Sequence, residues 1–270
     1  MFIIKIMSTT NFIIINSAFR TADSKSSSDF TYSIGESLEV DGITIKDISI
    51  PHVAYNVTSN NNKLRVTYGA VTGDLVIPEG QYTLAQLMTV LQTDLTTLFG
   101  VAVTVSQDPV TKKVVFVTTQ PFRISNNATT SSLSKYIGIA YGTGHYPTLE
   151  TAGFTLPLLP QLQGPNNYLV ASQVLAQGYA SILTDGQRVP VIMPVPVTVD
   201  WGEIQQYESN DMELNTKSFA RLQNIQNIDI KIYDDNLNVV DLNGQDVEIV
   251  LKVKVKDNLP SHLNRLGLGK

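Results

Sequence analysis

Towards the end of the chain, Ile228, Ile230 and Ile232 alternate with Asp229, Lys231 and Tyr233. After the turn-rich residues 234–238, Val247, Ile249, Leu251, Val253 and Val255 alternate with Glu248, Lys252 and Lys254. A period of two with one apolar face predicts two half-buried antiparallel strands, here read as a closing hairpin over 228–255. Phe30, Tyr32 and Ile34 give a further strand in the same way. The next segment changes phase: Ile43 and Ile45 are odd, Ile48 and Ile50 even, so a β-bulge is expected at Lys46-Asp47. The phase returns after Pro51 with Val53, Tyr55 and Val57. A strand that bends twice is one way to turn a sandwich corner. Over 189–199, valines and Met193 share one parity while Pro190, Pro194 and Pro196 share the other. Proline cannot donate to a ladder, so this segment belongs at a sheet edge or loses pairing along much of its length.

One stretch has helical spacing instead. Leu84, Leu87, Met88, Leu91, Leu95 and Leu98 fall on one face. Thr83 and Gln86 form a capping box, Tyr82 is placed to staple onto Leu87, and Gly100 ends the helix. Short strands are expected at 64–68, 74–77 and 122–124, a hairpin at 101–105 and 113–118 across Asp108-Pro109, and a second short helix within 131–139. Residues 59–140 thus read as an α+β subdomain inserted between β segments, 28–58 and 141–256, that need each other to complete a sheet. Within the latter, 141–165 is rich in Gly and Pro and reads as loop, and 168–175 as strand. Residues 1–27 read as an N-terminal arm, apolar at Phe12 to Ile15 and loose through the serine run, and 257–270 as a tail.

Composition narrows the function. The 270 residues are 43% hydrophobic, enough for a sizeable core, and only 16% charged, against roughly 25% in soluble domains. A surface built on Ser, Thr, Asn and Gln repels copies of itself weakly, which suits a protein packed among others. A net charge of −5 gives no global attraction to nucleic acid. Lys252, Lys254, Lys256, Arg265 and Lys270 gather late, read as a solvated strand face and tail. With no cysteine there are no disulfides, thiolate nucleophiles or Cys-held zinc. The start, Met1 to Met7, is too short for a signal h-region, and no run approaches the ~18 apolar residues of a membrane span.

Candidate chemistry is sparse. His52, His145 and His262 lie in three segments without metal-ligand spacing, and no Gly-x-Ser-x-Gly elbow occurs. Asp234, Asn236 and Asn238 copy the start of a calcium loop, but Val239 and Gln245 stand where Gly and Glu belong. A long turn is the better reading. Glu203 and Glu208 have no glycosidase spacing signature, although two acids placed by a fold need none. Trp201 and Tyr207 are candidates to anchor an interface, Trp201 alternatively to stack on a sugar or close a core edge. No catalytic residue, metal or cofactor is expected.

Several segments together carry a resemblance. They are Ser28-Asp29-Phe30-Thr31-Tyr32, Ile48-Ser49-Ile50-Pro51-His52 with Tyr55-Asn56-Val57, and Ile77-Pro78-Glu79-Gly80-Gln81-Tyr82-Thr83 before the leucine-rich helix. The last are Ile228-Asp229-Ile230 and Val240-Asp241-Leu242-Asn243-Gly244-Gln245-Asp246. In order and spacing they resemble the penton and other minor capsid proteins of double-jelly-roll DNA viruses, especially virophages and polinton-like viruses, across roughly 28–256. The resemblance implies a mainly β fold, a single jelly-roll β-sandwich with an inserted subdomain. It implies a virion protein without enzymatic activity, a homopentamer at the icosahedral fivefold vertices among major capsid protein trimers. Alternatives are a minor capsid or cement protein away from the vertex, or a module binding a host receptor or glycan. The family supplies no motif for interface residues. Phe12 and Ile14 in the arm, with Trp201 and Tyr207, are the candidates.

Overall fold

The computed structural model describes residues 8–176, 181–182, 188–208 and 216–256. The chain divides into two compact units, Met1–Ala54 with Pro165–Lys270, and Tyr55–Gly164. In chain order, the first unit opens with β1 (Ser8–Asn16), a 3-10 turn (Ser17–Phe19) and β2 (Asp29–Pro51). The second holds β3 (Lys63–Tyr68), β4 (Val71–Val76), α1 (Leu84–Phe99), β5 (Val103–Gln107), β6 (Val114–Ser125), α2 (Ser134–Ile137) and β7 (His145–Thr155). The first unit then resumes with β8 (Asn167–Ala171), α3 (Gln173–Ala176), β9 (Ser181–Ile182), β10 (Arg188–Val189) and β11 (Val191–Pro196). It closes with β12 (Ile204–Glu208), β13 (Thr216–Tyr233) and β14 (Glu248–Lys256).

The register of the first unit describes a rolled ribbon. Four antiparallel pairs run along it: β1 with β14, the start of β2 with the end of β13, the end of β2 with β12, and β8 with β11. Counting β2 as strands 2 and 3, β12 with the start of β13 as strand 6, and the rest of β13 as strand 7, these are strand pairs 1–8, 2–7, 3–6 and 4–5 of one long hairpin. Rolling the hairpin brings β14 beside the end of β2 and β8 beside the end of β13. The resulting sheet orders, 1-8-3-6 and 2-7-4-5, are those of a jelly roll.

The long strands pass from one sheet to the other through irregularities. Between the pairs Ser33↔Asn227 and Leu38↔Ile225, residues 34–37 of β2 stand opposite Gln226 alone. Gly35 takes φ +87° within this bulge, where a Cβ would touch nothing, so backbone conformation and not space calls for glycine. The bulge anticipated at Lys46-Asp47 is present: Val250 pairs with Asp47 and Leu251 with Ile45.

The core confirms that the sheet is folded over. In an open sheet, β1 and β11 would lie about 24 Å apart, five strand spacings. Instead Ile15 of β1, Leu251 of β14 and Val195 of β11 belong to one buried cluster with Ile43, Ile48, Ile230 and Tyr168.

The second unit has a five-stranded antiparallel sheet. β6 carries β7 along one side, and β5 then β3 along the other, with β4 outside β3. α1 begins with the expected Thr83–Gln86 capping box and ends at Gly100 in the left-handed region. It buries Leu87, Leu91 and Leu95 in this unit's core. Phe122 is central there, its ring 5.1 Å from Phe99, 4.9 Å from Phe154 and 5.8 Å from Phe116.

The structure differs from the sequence reading at several places. Residues 228–255 are not a hairpin: β13 pairs with β2 and β8, and β14 with β1 and β2. Neighbouring strands 7 and 8 of a rolled ribbon fall in different sheets, and their long connection permits it. Residues 8–16 of the expected arm form a ladder strand with Ile15 wholly buried. The expected loop 141–165 contains β7, and strand 168–175 gives way to α3. β2 ends at Pro51, so Val53, Tyr55 and Val57 do not extend it. The inserted unit spans 55–164, wider than 59–140 at both ends. The tail 257–270, with His262, lies outside the described residues.

Candidate assembly surface

A jelly roll has four edge strands, here β1 and β12 with the start of β13 in one sheet, and the start of β2 and β11 in the other. Unpaired edges invite association, and proteins block those not meant to associate. β11 is blocked by Pro194 and Pro196, as its sequence predicted. The start of β2 is strapped by 21–28. There the Thr21 N–H donates to Thr31 O at 2.8 Å, Thr31 N–H to Ser24 Oγ at 3.0 Å, and Asp29 N–H to Ser26 Oγ at 3.0 Å. The serine run read as loose is therefore an edge cover. β12 carries Glu208, ion-paired with Lys46, and the same edge resumes at Thr216–Ser218 of β13, opposite Gly42–Thr44, with Lys217 on it.

β1 has none of these devices. Its residues, Ser-Thr-Thr-Asn-Phe-Ile-Ile-Ile-Asn, include no charge and no proline, and among the described residues only β14 pairs with it. Alternation sends Ile13 and Ile15 inward opposite Leu251 and Ile249. It sends Phe12 and Ile14 outward opposite Lys252 and Val250, 61% and 57% exposed. Two large apolar side chains thus stand side by side on an open edge.

The four interface candidates separate. Phe12 and Ile14 share the outer face of β1. Tyr207, opposite Ile48 on β12, turns inward and packs half-buried against the core. Trp201 sits 45% exposed on the turn before β12, where Gly202 takes φ +95°. Ile204 and Val250, which the sequence reading did not single out, share the outer face of this sheet, Ile204 being 57% exposed. Their parity was legible, but which parity faces out depends on the ladder.

The remaining chemical candidates are committed to structure. Asp234 Oδ1 accepts the N–H groups of Asn236 and Asn238, both at 2.8 Å, and Oδ2 accepts from Asn238 Nδ2 at 3.1 Å. The calcium-like loop is a turn that uses its own carboxylate. Glu203 Oε2 accepts from Asp200 N at 3.2 Å. Lys46 holds the Glu208 carboxyl below its ordinary range, which suits neither proton donation nor storage. Among the described residues no three His, Cys, Asp or Glu side chains converge as a metal site, and no helix is long and apolar enough to cross a membrane.

Sequence reasoning missed one buried polar pair. His52, 8% exposed, shares a 2.7 Å hydrogen bond through Nδ1 with the hydroxyl of Tyr168, which is fully buried. The turn covers it, with Gly202 N–H donating to His52 O at 2.8 Å and His52 N–H to Glu203 O at 2.7 Å. Burial lowers the His52 pKa against an opposing pull from Asp200, and burial raises the Tyr168 phenol.

No protein-family model and no curated protein sequence matches the chain. Among solved structures, the chain is similar to the selenomethionine-labelled penton protein of mavirus, at 8% identity and a TM-score of 0.48, over 92% of this chain and 99% of that one. The jelly-roll assignment is independent of this likeness and follows from the strand register.

Proposed function

We propose that the chain is a structural capsid protein of a virion, a jelly-roll capsomer that closes into a homopentamer at the fivefold vertices among major capsid protein trimers. The observation that carries the reading is β1: an uncharged, proline-free edge with Phe12 and Ile14 outward on a fold whose other edges are strapped, charged or proline-bearing. An edge of that kind calls for a partner. A closed ring of identical copies needs two different flanks to meet, and a rolled ribbon with different strands along its two sides supplies unlike flanks. The ordered segments resembling penton proteins support the same reading, and it assigns the chain no reaction.

The double variant Phe12→Ser/Ile14→Ser tests it. Sedimentation of the wild type should reveal a concentration-dependent oligomer, and the variant should remain monomeric with an unchanged melting temperature. Equal assembly by both proteins would remove β1 from the interface and the reading with it.

A further inference from the structure

An open concavity of about 380 Å³ lies in the inserted unit, lined by Gln81, Tyr82, Gln86, Thr89 and Val90. Among the described residues no charged side chain lines it. Its polar groups are held from behind. Gln86 Oε1 accepts from Thr83 N–H at 2.8 Å and from the Thr83 hydroxyl at 3.1 Å, completing the helix cap. Gln81 Oε1 accepts from Asn56 N–H at 3.1 Å. Anchoring each carboxamide through its oxygen fixes the side chain and leaves its NH₂ without a partner among the described residues. The Thr89 hydroxyl donates to Ala85 O at 2.9 Å, so its own oxygen is left to accept.

The aromatic member is fixed as well. The Tyr82 hydroxyl donates to Pro78 O at 2.9 Å, and Asn56 brackets the Tyr82 backbone, Oδ1 accepting its N–H at 2.9 Å and Nδ2 donating to its O at 2.8 Å. Gly80 leaves room for the ring, since a Cβ there would lie 3.2 Å from Tyr82 Cε2. The result is an open, neutral concavity lined by a positioned ring, two carboxamides whose NH₂ groups have no partner among the described residues, and one hydroxyl that can accept.

We infer that this concavity binds an uncharged sugar. Sugar hydroxyls both donate and accept, and the apolar face of a pyranose lies against an aromatic ring. An anion would find no cation here, and an apolar ligand would strand the two amides. The site lies wholly within the inserted unit and does not depend on the capsid reading.

Saturation-transfer NMR on the full chain tests it, with glucose, galactose, mannose, N-acetylglucosamine and lactose as probes and sialic acid as the charged control. At least one uncharged sugar should receive saturation. Gln86→Glu keeps the cap, because Glu serves equally as its N3 partner, but replaces the outward donor with an acceptor. It and Gln81→Glu should each weaken binding roughly tenfold while the melting temperature holds, and Trp201→Ala should leave binding intact. The inference is overturned if no uncharged sugar responds, if only sialic acid does, if both Gln variants bind like the wild type, or if Trp201→Ala alone abolishes the signal.

Discussion

At the scale of residues, several buried polar side chains are tied to backbone, and the sequence hid which ones. Asn56, Asn61 and Asn62 are polar residues with no apolar alternation to mark them as core, yet all three are buried. Their amides bond to Tyr82, Leu162, Asn56 and Ile77. Such side-chain-to-backbone bonds have no periodicity, so pattern reading cannot find them.

His52 gives a prediction at this scale. Its folded-state pKa lies below the ordinary 6.5, so the unfolded chain takes up the proton first. The stability contributed by neutral, buried His52 is complete above that value and is lost as pH falls through it towards the folded pKa. The melting temperature should therefore fall as pH is lowered through about 6.5, and His52→Gln should flatten part of that slope. His145, also lowered by burial and by Arg123, accounts for some of the remainder. An identical slope in His52→Gln would show that this histidine titrates alike folded and unfolded.

At the scale of elements, local signals were read well and partner choice was not. α1 was legible because its cap, leucine stripe and terminal glycine are all within its own residues. The proline-bearing edge β11 and the bulge at Lys46 were legible for the same reason. The 228–255 alternation was correct and its pairing was not, because the partner of β14 is a segment some two hundred residues away. In β1, apolar composition pointed to an interface, but only the ladder separates outward Phe12 and Ile14 from inward Ile13 and Ile15.

That separation has an energetic consequence. Ile15→Ala removes a wholly buried side chain and should cost about 2–5 kcal/mol in denaturant unfolding. Phe12→Ala alters an exposed position and should fall within about 0.5 kcal/mol of wild type. If the two substitutions cost the same, β1 does not sit in the register described.

At the scale of the molecule, the β-sandwich class and the presence of an insertion were both legible. A sequence that alternates, stops for an amphipathic helix and resumes alternation leaves few other arrangements. The insertion boundaries were not, since β7 begins in a Gly- and Pro-rich stretch that resembles loop. The rolled ribbon accounts for the remaining surprises together: 23-residue β2 spans both sheets, consecutive β13 and β14 part company, and the first strand closes against the last.

The central claim is that the open β1 edge closes copies of this chain into a ring of five. Native mass spectrometry of the purified protein, over a range of concentrations at moderate salt, tests it most directly. The account predicts a species of five copies that grows with concentration and is absent from the Phe12→Ser/Ile14→Ser variant. A stable trimer, or a monomer at every concentration, would contradict it.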